Sequence, residues 1–289
     1  MNRLTKSPVF VAATALGLTT AAHAQDHWDK TYTLTGQPTL NLQTGDSNLN
    51  IKSCGECQTV QIHVDAQNRK LSDYRLEEDQ SGNTIHFSLK EKPHVGFHVT
   101  WHESAVSVEV KTPASLTLHA ETSDGNLNAS GLRGAINLRS SDGHQTMADV
   151  SGSLNVQSSD GTVELSDIAG TLDAHTSDGN IKVSGKLDGM NIRTSDGSLT
   201  VELASGSSLK SDSTLHSSDG SVTLRLPKDF AANFDISSSD GKVDCNLPLT
   251  LDGFHSSDGS NHAVRGKLNA GGPLFTIHTS DGSVHISSL

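Results

Sequence analysis

The chain has 289 residues, 33 acidic against 21 basic, for a formal net charge of −12. That balance excludes a nucleic-acid binder, which needs clustered Lys and Arg to neutralise phosphates. Apolar residues make up 33 % and aromatics 4 %, with no aromatic between Trp101 and Phe230, so any core there is built from Leu, Ile, Val, Ala and Met.

Residues 1–24 read as a secretory signal. Arg3 and Lys6 form a basic start, Val9 to Leu18 a short apolar run, and Ala22-His23-Ala24 a small-x-small cleavage site before Gln25. No later stretch approaches the roughly 20 apolar residues of a spanning helix, so the expectation is an exported chain, periplasmic, secreted or at the cell surface, without a transmembrane segment. Residues 25–120 then alternate apolar and polar in strand fashion and read as an irregular opening cap. Within them Cys54-Gly-Glu-Cys57 lies between the alternating runs Asn48–Ser53 and Thr59–Asp65. A four-residue turn brings its ends within disulfide range, so Cys54 and Cys57 are expected to pair. Free thiols, or a redox or metal-binding pair, are the alternatives, although neither a βαβ setting nor further ligands accompany them. Cys245 falls on an inward column and reads as a small buried hydrophobe.

From residue 121 to 289 the tripeptide Ser-Asp-Gly occurs nine times, at Asp124, Asp142, Asp160, Asp178, Asp196, Asp219, Asp240, Asp258 and Asp281. Successive gaps are 18, 18, 18, 18, 23, 21, 18 and 23. Ser or Thr precedes every copy. Three and five residues after each Asp, and four before it, stand mostly apolar residues with polar neighbours, a period of two. This predicts an all-β fold: a β-solenoid, β-helix-like, with about 18 residues per coil and two short strands per coil, continuous with the opening cap. An antiparallel meander shares the period. Glycine at the turn is expected to supply positive φ, and aspartate to bond nearby backbone amides. A row of Ca²⁺ sites is the functional alternative for the nine aspartates, but each coil offers one carboxylate where calcium takes six to eight oxygens.

Histidines suggest little more. His94, His98 and His102 alternate with apolar residues on a strand, too far apart to share an ion. His255 and His278 belong to adjacent coils, so stacking is expected to place them about 5 Å apart, with His262 and His285 alike, two low-affinity candidate sites for Zn²⁺ or Cu²⁺. No catalytic residues and no cofactor are expected. His-Thr-Ser-Asp-Gly at 175–179 and 278–282 holds the residue types of a triad without its single pocket.

The segment Val106 to Ala114, then Leu116-Thr117-Leu118, then Thr122 to Leu127 and the Ser-Asp-Gly run, resembles the bacterial "putative adhesin" family of exported β-strand-repeat proteins, a domain of unknown function. The resemblance covers about residues 40–289. The resemblance carries over no catalytic or binding residues; the flat, polar, acidic faces of the expected solenoid are read as a non-enzymatic interaction or scaffold surface for an envelope or surface protein or glycan. The other readings are a metal-binding periplasmic protein using the histidine pairs, and a polysaccharide-active enzyme with paired carboxylates in a cleft. The last strand, Ser283–Ser288, has no evident cap, so self-association through that edge is expected.

Overall fold

The computed structural model describes residues 26–67, 69–93, 106–251 and 262–289. The signal-type segment, His94, His98 and His102, and the Asp258 copy with His255 lie outside the described residues. The described chain is all-β apart from one 3-10 turn at Leu71–Asp73. It opens with β1 (His27–Thr33), β2 (Thr39–Thr44), β3 (Asn48–Ser53), β4 (Thr59–Asp65), β5 (Tyr74–Ser81), β6 (Thr84–Glu91) and β7 (Ser107–Thr112). The repeats begin with β8 (Ser115–Thr122), β9 (Leu127–Ser130), β10 (Arg133–Ser140), β11 (Gln145–Gln157), β12 (Val163–His175), β13 (Ile181–Thr194) and β14 (Leu199–Leu203). They continue as β15 (Ser213–Ser217), β16 (Val222–Leu226), β17 (Ala232–Ser238), β18 (Val243–Cys245), β19 (Thr250–Leu251), β20 (Ala263–Leu268), β21 (Leu274–Thr279) and β22 (Val284–Ser288).

Alternation turns these segments into parallel rungs with one face inward. Ile136 pairs with Leu118 on one side and Leu154 on the other, and Leu154 pairs with Leu172, each step spanning one repeat of the chain. The later step from Ile192 to Leu215 is longer, and the extra residues swell the loop between β14 and β15. Each turn of chain therefore contributes a strand to each of two faces. In the middle of the stack β11, β12 and β13 run unbroken through the corners at Gly152, Gly170 and Gly185, where the sequence predicts two separate strands.

Rung order departs from chain order at both ends. Leu215 pairs with Ile277, and Ile277 pairs in turn with Ile236; Val222, Val284 and Val243 repeat the arrangement on the other face. The last coil of the chain is thus inserted between two earlier ones. Likewise Leu40 lies between Ile85 and Leu118, and Ile51 between Val110 and Ala129, so the first coil is interior too. Antiparallel strands are added at the ends: β5 on β6, and β4 on β7 followed by β1, at one; β20 on β17, followed by β19, at the other, where β18 pairs with β22 alone among the described residues.

Two expectations fall with this order. β22 is bonded on both sides, so it is no exposed edge for self-association. Ala263 sits exposed on antiparallel β20 rather than on an inward column, because that segment covers the edge instead of adding a coil.

One continuous core runs from Tyr32 to Ile286. Leu127, Val163, Ile181, Leu199, Val222 and Val284 bury the first predicted column, and Leu138, Val156, Ile192, Leu215, Ile236 and Ile277 the third. Each such side chain contributes about 1.5–3 kcal/mol on leaving water. Gln145 is the polar exception, buried with its Nε2 donating to the Gln157 carbonyl at 2.5 Å. Aromatic rings close the two ends: Trp28 against Phe87, and Phe230, Phe234 and Phe275 against one another.

The Ser-Asp-Gly corner is held together differently from the sequence-based expectation. None of its described glycines has positive φ; that region is used at the other corner, by Gly131, Gly152, Gly170 and Gly185. What glycine permits here is contact between rungs. A Cβ on Gly143 would lie 2.0 Å from the Gly125 carbonyl oxygen, on Gly161 2.2 Å from that of Gly143, and on Gly179 2.1 Å from that of Gly161. The file continues through Gly197, Gly220, Gly282 and Gly241, in the same order as the rungs.

The aspartate carboxylates, exposed in every described copy, accept none of the hydrogen bonds that close the corner. Those come from the Asp backbone N–H, as from Asp178 to the Ser159 carbonyl at 3.0 Å, and from the buried Ser or Thr two residues earlier. Thr176 Oγ1 donates to the Ser159 carbonyl (2.8 Å) and accepts from the Gly179 N–H (3.2 Å). Thr194, Ser217, Ser238 and Thr279 repeat the donation, and the first three of these also accept from the glycine N–H of their own turn. A hydroxyl beneath the turn serves both roles, which leaves the carboxylate to solvent.

Candidate functional site

Of the predicted metal-site histidines, His262, His278 and His285 are described, and His255 lies outside the described residues. His278 stacks on His216 with ring centroids 5.5 Å apart, and its Nδ1 lies 3.0 Å from Ser237 Oγ. Burial, the facing His278 and Arg193 together hold His216 below the ordinary imidazole pKa. His285 has Thr223 and Asp244 as its rung neighbours, and His262 sets its Nδ1 2.6 Å from the Gly241 carbonyl oxygen. His262 and His285 are therefore not rung neighbours, because the Asp281 coil stacks on the Asp219 and Asp240 coils. Among the described residues no three His, Cys, Asp or Glu side chains converge as a metal site. Cys54 and Cys57 are joined in a disulfide, with Cα atoms 5.9 Å apart. Cys245 is partly buried and unpaired, and burial pushes its thiol pKa up.

A groove of about 690 Å³ lies between β5 and the outward side of the sheet made by β6, β2, β8 and β10. Its floor is set by strand parity. On each of these strands the residues next to buried ones point outward, so His86, Asn41, His119 and Asn137 form one transverse file across neighbouring rungs. A second file beside it holds Ser88, Gln43, Glu121 and Arg139. Gln43 Nε2 donates to Glu121 Oε2 at 3.3 Å. Glu77 and Asp79 of β5 make the wall, both exposed. They lack the apolar enclosure by which a glycoside hydrolase keeps one carboxyl protonated.

β5 is fastened to β1 through Glu78, which accepts from Lys30 Nζ and from the Tyr32 hydroxyl (3.0 Å). The Lys30 hydrogen bond, helped by Tyr32 and opposed by partial burial, holds the Glu78 carboxyl below the usual range. A depressed folded-state pKa stabilises above the unfolded value and loses that contribution as pH falls through the folded one. Acidification below about pH 4 is therefore expected to lower the amide-exchange protection factors of β5 ahead of those of β11–β13. An equal loss of protection across the stack would refute this tie.

The groove was not legible in the sequence. Its signal is the alternation within Thr84–Glu91 and Thr39–Thr44, which identifies outward residues but not which strands lie beside them.

A core shared by parallel β coils with covered ends places the molecule among β-repeat proteins. The chain belongs to the Toastrack family, DUF4097, which matches residues 38–287. Solved structures to which it is similar include a "putative cell adhesion protein" from Clostridium sporogenes (12 % identity, TM-score 0.29, covering 91 % of this chain and 100 % of that one). Others are a "putative adhesin" from Bacteroides fragilis (12 %, TM-score 0.44, 92 % and 98 %) and one from Parabacteroides merdae (12 %, TM-score 0.34, 91 % and 97 %). No curated protein matches the chain. No helix among the described residues is long and apolar enough to cross a membrane.

Proposed function

We propose that the protein is an exported, non-enzymatic β-solenoid with one Ser-Asp-Gly repeat per coil, acting as an adhesin-like binding surface for another envelope component. The signal-type start at residues 1–24 supports export. Residues 25–120 and 121–289 act as one body in this reading, because their apolar residues share a single core. The observation that carries the reading is the outward face of β2, β8, β10, β11, β12 and β13. There polar side chains stand in straight files about 4.8 Å apart on a backbone fixed by bonds to both neighbours. A rigid, periodic, polar surface suits recognition of an extended partner without large ordering entropy.

Site-specific photo-crosslinking in cells tests it. A photoreactive residue at Asn155, on this face, is expected to give an adduct confined to the envelope fraction. One at Glu164, on the opposite side of the stack, is expected to give little. A cytoplasmic chain, or equal adducts from both positions, would sink the proposal.

A further inference from the structure

Where the outward face is open, its polar side chains satisfy one another. Gln157 Nε2 donates to Asn155 Oδ1 (3.2 Å), Asn191 Nδ2 to Asp173 Oδ2 (3.2 Å), and Arg193 Nε to Asn191 Oδ1 (3.0 Å). Inside the groove the same file behaves otherwise. Asn41, His86, His119 and Asn137 make no side-chain hydrogen bond to any described residue, although Asn41 and Asn137 are half-buried. Each carboxamide offers two donors and an acceptor, and each neutral imidazole one of either. They recur at rung spacing along a walled trough.

Charge narrows what can lie there. Glu77, Asp79 and Glu121 outnumber Arg139 around the trough, on a chain of net charge −12, so a polyanion is repelled. The apolar residues beneath, Leu42, Phe87 and Ala120, are buried, so an apolar partner gains little. The floor itself is made of carboxamides and imidazoles, so the ligand that suits it both donates and accepts hydrogen bonds at each rung. Vicinal hydroxyl pairs of a sugar chain do so: a carboxamide meets such a pair with its oxygen accepting and its nitrogen donating, and a carboxylate accepts from both hydroxyls.

We propose that the groove between β5 and the sheet binds a neutral glycan chain laid across the rungs, with Asn41, His86, His119 and Asn137 as its floor contacts and Glu77 and Asp79 as wall contacts. This rests on the binding-surface reading and names its ligand class. Binding without aromatic platforms is of modest affinity and enthalpic in character.

Isothermal titration of the protein with cellohexaose, maltohexaose and chitohexaose, alongside an alginate hexamer, tests it. At least one neutral hexasaccharide is expected to bind with a submillimolar Kd and the alginate not at all. Asn41→Ala with Asn137→Ala is expected to weaken binding at least tenfold with the melting temperature unchanged, while Glu164→Ala, on the opposite side of the stack, leaves binding intact. No binding by any of the three neutral chains, tighter binding of alginate, or an unaffected double variant would each overturn the assignment. Envelope adducts from position 155 without glycan binding would remove this inference and leave the binding-surface reading standing.

Discussion

Gly179→Ala is expected to cost about 3 kcal/mol or more of folding stability, while Asp178→Asn, one residue earlier in the same tripeptide, stays within about 0.5 kcal/mol. The added methyl would sit 2.1 Å from the Gly161 carbonyl oxygen, a backbone atom, so relief requires two rungs to separate. Separation stretches the neighbouring inter-rung bonds, among them Ser177 N–H to the Ser159 carbonyl at 3.0 Å. The Asp178 carboxylate accepts none of the bonds in that corner and stands exposed in a file of like charges, so neutralising it removes repulsion and nothing else. Thr176→Ala should fall between the two, at about 1–3 kcal/mol, since it strips a partner from both the Ser159 carbonyl and the Gly179 N–H. Urea unfolding of the three variants ranks them directly. A costly Asp178→Asn beside a tolerated Gly179→Ala would reverse the account of the corner.

Removing residues 270–289 should have the largest effect of any terminal deletion. The lost coil buries Phe275, Ile277, Val284 and Ile286, roughly 6–12 kcal/mol of transfer free energy at 1.5–3 kcal/mol per side chain. That is comparable with the entire stability of an ordinary domain. Because the coil is interior, its loss also strips the pairing partners of β15, β16, β17 and β18 together. Hydrogen exchange should show protection collapsing over residues 213–245 while β11–β13 remain slow. Restored protection on adding a peptide of residues 270–289 would demonstrate the vacant slot. Undiminished protection in the truncated chain would show that the last coil is a terminal rung after all.

Period and parity were readable from the residues, because they are properties of one strand: Leu165 and Ile192 are buried as alternation requires. Adjacency between coils was not. Ile236, Ile277 and Leu215 occupy equivalent columns, so any of them can face another without exposing an apolar group, and the period alone favours no order. The histidines inherit that ambiguity: His278 has His216, from a coil far back along the chain, and Ser237 as its rung neighbours, and His285 has Thr223 and Asp244. The role of the turn glycine is hidden for a related reason. Positive φ is a local property, whereas the observed constraint lies in the next rung. Ser or Thr before every Ser-Asp-Gly is the visible sign of the hydroxyl beneath each turn. Its function appears only when Thr176 is seen between the Ser159 carbonyl and the Gly179 amide.

Because β21 and β22 lie between elements synthesised before them, the chain cannot fold as a zipper that closes from its beginning to its end. A gap one rung wide stays open until residues 274–288 have been made, so the stack closes around a late-made coil instead of growing outward from an early one.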